Sequence, residues 1–509
     1  MIDATIETLV EAAIREDLIE EQDRIYSRNR ILAKLRKLDF TLRSTRQRAE
    51  IPELLEILTL NAIDAGIIED LLEEKDRFKA EVMDVFVSKP SEVTRTFNVL
   101  REIDVKSATD YFYQMSRASN YIQTERIANN ITYQAPTQYG TLDITINLSK
   151  PEKDPREIAR ARLQPTPASN YPKGLLAIEN EGYSGHMNHP ARANHRIIPL
   201  TLGGEKWSFQ YSPYLYYNEH SILLSNEIRD MVIDRGAFER LLDFITQFPH
   251  YFAGSNADLP IVGGSILTHD HYQAGRYRFA MDDARVVSTY HSERYDQVDI
   301  ETLYWPLSVV RLRSRQKEQL VMLANQLLGY WRNYEDESSE VIPYTDDVPH
   351  NTVTPIARRR DGYYELDLVL RNNRTSDVHP DGIFHPHADV HHIKRENIGL
   401  IEVMGLAVLP ARLKTELEQV VRYVAGEDVH VEAMHQEWAD ALRKKSGDPK
   451  TIVNQAVVDK FVKGLEDAGV FKQTETGQER FDVFVRSLLS HVDKVEYGTP
   501  RSGMREKTN

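Results

Sequence analysis

Cysteine is absent from this chain of 509 residues. Its absence excludes disulfide bonds, thiolate nucleophiles and every zinc site that needs a cysteine ligand, and it favours a reducing compartment. The first 23 residues carry acidic side chains where a secretory signal needs basic ones. No window approaches the ~18 consecutive apolar residues of a membrane span. We therefore expect a cytoplasmic protein that does not bind to a membrane.

An excess of positive charge is also missing. Lys and Arg number 63 and Asp and Glu number 78, which gives a net charge of −15. Nucleic-acid binding depends on excess Lys and Arg, so no nucleic-acid partner is expected. The apolar fraction of 41% is that of a folded globular protein.

Histidine is absent from the first third of the chain and then becomes frequent. None of the 17 histidines precedes His186, and fourteen lie between His186 and His392. Imidazole serves as acid, base, nucleophile or metal ligand near neutral pH. The sequence therefore indicates that the chemistry lies in the middle of the chain.

The apolar spacing predicts an α+β fold in four regions. Residues 1–135 and 426–509 have helical spacing, whereas 136–292 and 293–425 each combine short strands with one helix. Because the strand-and-helix pattern occurs twice, we expect an internal duplication of an α+β unit. Four of the predicted strands adjoin the candidate site residues, namely residues 174–179, 259–267, 276–281 and 388–393.

A histidine-rich segment follows two glycines, Gly263 and Gly264. His269 and His271 alternate along an extended segment, so both rings project to one side, and Gln273 follows on the same side. Two imidazoles and an amide suit the handling of a phosphate, although a surface loop with incidental histidines fits the same pattern. Asp270 projects to the other side, where it is expected to orient the backbone or a neighbour.

Two segments further upstream are open to two interpretations each. Asn180 and Glu181 follow a short apolar run and suit ribose hydroxyls or a base edge, but Asn and Gly also favour ordinary turns. Residues 186–196 combine imidazole, amide and guanidinium groups, which suit an anion site and a solvated loop equally well.

The densest histidine cluster spans 379–392 and includes His385 and His387. Histidines in alternate positions on a strand are a frequent metal-ligand spacing, and they can also line a sugar or phosphate pocket. The pattern leaves the presence and identity of a metal open, but it does exclude a cysteine-bound zinc.

Long ungapped runs carry a resemblance to a known family. Residues 174–196, 210–220, 248–276 and 390–410 resemble the second class of galactose-1-phosphate uridylyltransferases, which are bacterial enzymes related to the histidine-triad nucleotide-binding proteins. The resemblance implies two histidine-triad-like antiparallel sheet halves, the first with the nucleophile and the second for the hexose. It also implies exchange of UMP between UDP-glucose and galactose 1-phosphate through a covalent uridylyl-histidine. No cofactor is implied for this chemistry, and a homodimer is one expected assembly.

The resemblance also implies roles for particular residues. His271 matches the nucleophile, with His269 beside it, and Gln273 matches the residue that holds the uridylyl phosphate. Asn180 and Glu181 match the uridine-binding pair. The substrate-binding residues matched elsewhere are Asn256, His385, His387, Asn397 and Glu402. Asp270 departs from the first class of the same family, which has proline at the matching position. The resemblance therefore does not imply a conformation for this loop.

Two other classes of function remain compatible with the sequence. A metal-dependent phosphodiesterase or nucleotide-sugar hydrolase would use the cluster at 379–392 together with carboxylates. A non-catalytic sensor would bind a nucleotide sugar without turnover. Loss of activity in a chelator would favour the first, and binding without a covalent adduct would favour the second.

Overall fold

The computed structural model describes residues 2–41, 49–149, 171–186, 189–264 and 266–494. The first 130 residues form helices, as the sequence predicts, and Pro52 and Pro90 lie in the first turns of two of them. The described helices of this region are α1 (Ile2–Arg15), α2 (Arg24–Lys34), α3 (Ile51–Asp64), α4 (Leu72–Asp84), α5 (Pro90–Ile103), α6 (Val105–Ala118) and α7 (Thr124–Ala128).

One antiparallel sheet of ten strands forms the centre of the molecule. Its order is β3-β4-β5-β7-β6-β13-β14-β10-β9-β8. The first half contains β3 (Ile198–Leu202), β4 (Glu205–Tyr211), β5 (Ser221–Ser225), β6 (Phe252–Gly254) and β7 (His271–Gly275), with helix α8 (Arg235–Gln247) between β5 and β6. The second half contains β8 (Val286–Tyr290), β9 (Asp299–Leu303), β10 (Val309–Ser314), β13 (Asn351–Arg360) and β14 (Tyr363–Asn372), with helix α9 (Lys317–Arg332) between β10 and β13.

The two halves repeat one topology. Each half contributes three strands, then a helix, then two strands, and in each half the last strand lies between the third and fourth. The halves meet where β6 pairs antiparallel with β13 through Gly254↔Ile356 and Ala253↔Ala357. The predicted α+β class and its two antiparallel sheet halves are therefore confirmed. The strand β8 lies in the second half, although the expected boundary between the halves falls after it, at 292/293.

A small sheet and further helices cover the second half. The three-stranded sheet has the order β1-β2-β15, with the bounds β1 (Ile131–Thr137), β2 (Gly140–Ile146) and β15 (Leu406–Leu409). A short hairpin pairs β11 (Tyr344–Thr345) with β12 (Val348–Pro349). The remaining described helices are α10 (Leu400–Val403), α11 (Leu413–Val424), α12 (Ala433–Arg443), α13 (Pro449–Ala468) and α14 (Glu475–Lys494).

Apolar side chains are buried on both faces of the ten-stranded sheet. On one face, α8, α9, α14 and the N-terminal helices form a continuous core. On the other face, the small sheet and helices α10–α13 pack mainly against the second half. The described part of the chain has no helix that is both long and apolar enough to cross a membrane.

The four predicted strands beside the candidate site residues are wrong. Residues 174–179 end in a 3-10 turn (Ile178–Asn180), because Asn180 binds two carbonyls of the same segment. Residues 259–267 form a loop closed by a bridge between Ala257 and Gly263. Residues 276–281 lead into the 3-10 turn Ala280–Asp283, and residues 388–393 begin with the 3-10 turn Ala388–Val390. Gly174 opens the first of the four runs, and the second contains Pro260, Gly263 and Gly264, residue types that interrupt regular pairing.

Candidate active site

Strand β7 places two candidate side chains on the same sheet face. Tyr272 and Ala274 alternate with His271 and Gln273, and they point into the core around α8. His271 and Gln273 therefore face the opposite side, as their spacing predicts. This side of the first half is the one that the helices α8 and α9 do not cover.

The ring of His271 is held by the backbone of its own segment. Its Nδ1 lies 2.7 Å from the backbone oxygen of His269. A carbonyl oxygen can only accept a hydrogen bond, so Nδ1 carries the proton and the lone pair lies on Nε2. Burial lowers the pKa of His271, so the ring is neutral near neutral pH. A neutral ring with a fixed tautomer and an available Nε2 has the form of a nucleophile.

His269 anchors the same segment to the neighbouring strand. Its Nε2 donates to the backbone oxygen of Ser225 at 2.8 Å, and the backbone N–H of Ser225 donates to the oxygen of Asp270 at 3.0 Å. His269 is thus buried in a support for the backbone that holds His271. Its Nε2 is used by the oxygen of Ser225, so the observed contacts of His269 hold the backbone in position.

Asp270 points to the other side and binds two arginines, which agrees with the expected orienting role. Its carboxylate accepts from Nε of Arg229 at 3.2 Å and lies 3.7 Å from Arg240. Burial raises the pKa of Asp270, and the two guanidinium groups oppose that shift. Arg240 also donates to the hydroxyl of Tyr272 at 2.7 Å. The ion pairs of Asp270 therefore hold the loop that leads into β7.

Gln273 lies at the centre of the first half of the sheet. It pairs with Ile222 of β5 on one side and with Gly254 of β6 on the other. Its Oε1 is buried without a hydrogen-bond partner, whereas the residue as a whole is half-buried. Because Oε1 is turned inward, the Nε2 group is the part of the amide available to a ligand.

The turn with Asn180 and Glu181 lies beyond the other edge of this half. Glu181 accepts from the backbone N–H of Ile197 at 2.9 Å, directly before β3. Strands β4 and β5 separate β3 from β7, which corresponds to roughly 14 Å at the usual strand spacing.

The two members of this pair differ in how much of their side chain is free. Both amide hydrogens of Asn180 are used, by the oxygens of Gly174 and Ala177 at 2.8 Å each, and its Oδ1 contacts Nε2 of His189. Only a lone pair of Oδ1 remains for a ligand. Burial raises the pKa of Glu181, so its carboxylate lies in a poorly solvated place where a hydroxyl donor would stabilise it.

Asn256 and Glu402 come from different halves and meet at one short helix. Oδ1 of Asn256 accepts from the backbone N–H of Leu400 at 2.9 Å. Glu402 accepts from the backbone N–H of Gly399 at 3.1 Å and from Nζ of Lys394 at 2.9 Å. The start of α10 therefore brings the two predicted residues together. Asn256 lies two positions after Gly254, which pairs with Gln273.

His385 and Asn397 lie next to each other, as a shared pocket requires. Nε2 of His385 is 3.3 Å from Oδ1 of Asn397. His387 instead turns toward the C-terminal helices: its Nε2 donates to the oxygen of Ile383 at 3.0 Å, and its Nδ1 lies 3.4 Å from Asp467. The structure thus separates the two alternate histidines into different environments.

The other histidines of the 379–392 cluster also face different partners. His379 stacks on His387 with ring centroids 4.0 Å apart, whereas Nδ1 of His392 contacts Nδ1 of His435 at 2.9 Å. Within the described ranges, no group of three or more His, Asp or Glu side chains is arranged to hold a metal ion.

The segment 186–196 is largely structural. Nε2 of His195 lies 2.9 Å from Oε1 of Gln210. Arg196 donates to the backbone oxygen of Ser88 at 2.8 Å and to Asp84 at 2.9 Å. Residues 187 and 188 lie outside the described part of the chain, as does Ser265 in the glycine-rich segment.

Sequence reasoning missed three buried polar residues on the site face. Arg371 is fully buried beside Glu402, and burial lowers its pKa to about 10. Lys394 pairs with Glu402, and His220 lies on the same sheet face as Gln273, two residues before the Ile222 that pairs with it. Lys394 and His220 fall within the runs that carry the family resemblance, but neither stands in a motif with a chemical spacing. The one sequence signal at Arg371 was an arginine that follows the apolar residues of a predicted strand.

The doubled antiparallel sheet carries a neutral histidine with a fixed tautomer on the last strand of its first half, an arrangement that suits transfer of a group through a ring nitrogen. Family models of the galactose-1-phosphate uridyl transferase N-terminal and C-terminal domains match residues 17–230 and 244–440. Among curated proteins, a galactose-1-phosphate uridylyltransferase of Clostridium perfringens is 50% identical over 96% of this chain and 99% of its own length. One of Streptococcus pneumoniae is 51% identical, over 95% and 98%. The chain therefore belongs to the galactose-1-phosphate uridylyltransferase family, and the resemblance is confirmed.

Among solved structures, a likeness extends to the Ap4A phosphorylase Apa2 of yeast. It covers 58% of this chain and 90% of that chain, at 12% identity and a TM-score of 0.31.

Proposed function

We propose that this protein exchanges UMP between UDP-glucose and galactose 1-phosphate by double displacement at His271. The observation that carries the proposal is the contact of Nδ1 of His271 with the backbone oxygen of His269, because it leaves Nε2 as the nucleophile. Curated relatives with this activity in their names share half of their residues with the chain.

Two transfers of one uridylyl group make up the reaction. Nε2 of His271 attacks the α-phosphorus of UDP-glucose, the bond to the bridging oxygen breaks, and glucose 1-phosphate leaves. A phosphate oxygen of galactose 1-phosphate then attacks the phosphorus of the uridylyl-histidine, and the bond from phosphorus to Nε2 breaks. UDP-galactose leaves, and the ring of His271 is neutral again. Covalent catalysis of this kind gives ping-pong kinetics. Nε2 of Gln273 donates to the phosphoryl oxygen on which charge develops.

We assign the uridine to the turn at Glu181 and Asn180. The partly desolvated carboxylate of Glu181 is a suitable acceptor for ribose hydroxyls. We assign the hexose phosphate to the group at the start of α10, Asn256 and Glu402, with His385, Asn397 and His387 in the adjoining segment.

The proposed reaction needs no cofactor, since the histidine supplies the nucleophile and the leaving groups are phosphates. The histidines at 379–392 are engaged with different partners, which gives no specific support to the metal-dependent alternative. We also propose a cytoplasmic location, in keeping with a cysteine-free chain, and cell fractionation tests it.

The first test is direct detection of the intermediate. The protein is incubated with UDP-glucose alone, and intact-mass spectrometry is expected to find a gain of one uridylyl group. His271→Ala removes the attacking nitrogen and should abolish both the adduct and the turnover. His387→Ala should still form the adduct but transfer it to galactose 1-phosphate less well. An adduct in His271→Ala would show that the nucleophile lies elsewhere.

A further inference from the structure

The amide of Gln273 has to be held in one of two orientations. An amide presents an oxygen at one end and two N–H donors at the other, and a half-turn about its last bond exchanges them. Only the orientation with Nε2 toward the substrate stabilises a phosphoryl oxygen; the other would bring two oxygens together. In the structure, Oε1 is the buried end, and it accepts no hydrogen bond from the residues that the structure describes.

His220 is the side chain that lies against this buried end. It directly precedes β5, in which Ser221 pairs with Ala274 and Ile222 pairs with Gln273. Its ring therefore projects from the same sheet face as Gln273, diagonally across the strand pair. Both ring nitrogens of His220 and Oε1 of Gln273 are buried, and the described residues give none of the three another hydrogen-bond partner.

Two tyrosines and the backbone fix the ring of His220. Its centroid lies 4.6 Å from that of Tyr217 and 5.4 Å from that of Tyr216. The backbone N–H of Ser212 donates to the oxygen of His220 at 2.9 Å, and His220 donates from its own backbone to Tyr217 at 3.2 Å. Only 4% of the residue is exposed. A ring fixed this firmly can determine the orientation of a more flexible neighbour.

The protonation of the buried ring is compatible with one donated hydrogen bond. Burial lowers the pKa of His220 to about 4, so the ring is neutral at neutral pH and carries one N–H. Gln273 and the backbone of Tyr214 both act on the pKa of His220 in the upward direction, as acceptors do, and the acceptor of a glutamine side chain is its oxygen. A proton on the nitrogen that faces Gln273 gives the buried Oε1 the donor that it lacks.

We propose that His220 is a positioning residue, whose ring N–H donates to Oε1 of Gln273 and so turns Nε2 of Gln273 toward the phosphoryl oxygen. This inference rests on the proposed uridylyl transfer and adds to it a residue that does not touch the substrate. His220 binds neither uridine nor hexose, and its effect on the reaction passes through Gln273 alone.

The test compares the shape of the ring with its ability to donate. His220→Phe keeps a ring between Tyr216 and Tyr217 but removes the N–H. His220→Asn and His220→Gln keep a donor at the place of one ring nitrogen or the other. The rate of uridylylation by UDP-glucose is measured in single turnovers. We expect His220→Phe to slow it about 10- to 100-fold, as a misplaced catalytic group does, and one amide variant to recover at least part of the loss.

A double-mutant cycle separates positioning from packing. In the Gln273→Ala background the amide is gone, so His220→Phe should cause no further loss. A wild-type rate in His220→Phe, or an equal loss in both backgrounds, would overturn the inference. Where His220→Phe fails to fold by circular dichroism, His220→Leu, which likewise has no donor, takes its place in the same two backgrounds with the same criterion. Formation of the adduct by the unchanged protein reports on the proposed function separately.

Discussion

In the proposed reaction, the single amide of Gln273 meets the developing charge. Removal of one such donor typically slows the chemical step by about 10²–10³. We expect that loss for Gln273→Ala and at least as large a loss for Gln273→Glu, because a carboxylate would then face the phosphate. Single-turnover formation of the uridylyl adduct measures it. Gln114→Ala, which changes an exposed glutamine on α6, is the matched control. Unchanged rates in both Gln273 variants would remove this role.

Two buried histidines outside the nucleophile make stability depend on pH. Burial lowers the pKa of His195 to about 3 and that of His220 to about 4. In the unfolded chain each titrates near 6.5, so below that pH the unfolded state binds protons that the folded state does not. The contribution of these two histidines to the free energy of unfolding is therefore fully present above about pH 6.5, and it is lost progressively as the pH falls toward 4.

Replacement of one of these histidines should flatten that dependence. His195→Gln removes one group that binds a proton only on unfolding, so the free energy of unfolding should fall less steeply between pH 6.5 and 4.5 than in the unchanged protein. Urea unfolding at several pH values measures the slope. His430→Gln changes a histidine that is 84% exposed and should leave the slope as it was. Parallel slopes in His195→Gln and the unchanged protein would contradict the assignment.

At the scale of single residues, the sequence predicted the types of group but not their hydrogen bonds. The alternation of His269, His271 and Gln273 was sufficient to place the last two on one face. The support of His271 by the oxygen of His269, and of that backbone by Ser225, depends on how β5 and β7 pair. No local pattern encodes a pairing between strands that are 46 residues apart.

At the scale of an element, the loop that leads into β7 depends on Gly263. A Cβ on Gly263 would lie 2.4 Å from the backbone oxygen of Ala257 and 2.7 Å from that of Leu259. Gly263→Ala should force this loop apart at a cost of about 1–3 kcal/mol, as overpacking does, and lower the rate of adduct formation through the displaced Asn256 and His271. Thermal unfolding and single-turnover rates measure the two effects.

Gly329 provides the opposite expectation within the same chain. It lies exposed in α9, where an added Cβ meets no atom within 4 Å. Gly329→Ala should therefore stabilise the protein by roughly 0.5–1 kcal/mol, because alanine has the higher helix propensity. A stabilised Gly263→Ala would show that the loop has room that the structure does not contain.

The predicted elements were most accurate where an apolar face was continuous. Helices α1 and α9 and strands β4, β5 and β14 lie where apolar spacing placed them, because each has a continuous face to bury. The predictions failed at 174–179 and 259–267, where side-chain capping by Asn180 and the tight bridge at Gly263 determine the backbone instead. Those two segments also hold candidate site residues, and such segments are shaped by local contacts rather than by burial alone.

At the scale of the whole molecule, the duplication places one site beside the junction of two sheet halves. The order of strands and helix is the same in both halves, but only the first has a histidine and a glutamine on its last strand. In the second half, Asp367 occupies the site face of the last strand and binds Arg311 and Arg358 at 2.7 Å each. A buried ion network thus occupies the last strand of the second half, whereas the last strand of the first half carries His271 and Gln273.

The N-terminal helices share one core with the sheet, so the described chain should unfold as a unit. Phe112 of α6 lies 5.4 Å from Phe209 and 5.1 Å from Tyr211 of β4, between ring centroids. Phe112→Ala should destabilise the protein by about 3–5 kcal/mol, and it should lower the midpoints of helix melting and tryptophan fluorescence together. Val99→Ala, at a 54% exposed position on α5, is the control and should shift neither midpoint appreciably. A helical transition that separates from the fluorescence transition in Phe112→Ala would show instead that the N-terminal helices form an independent domain.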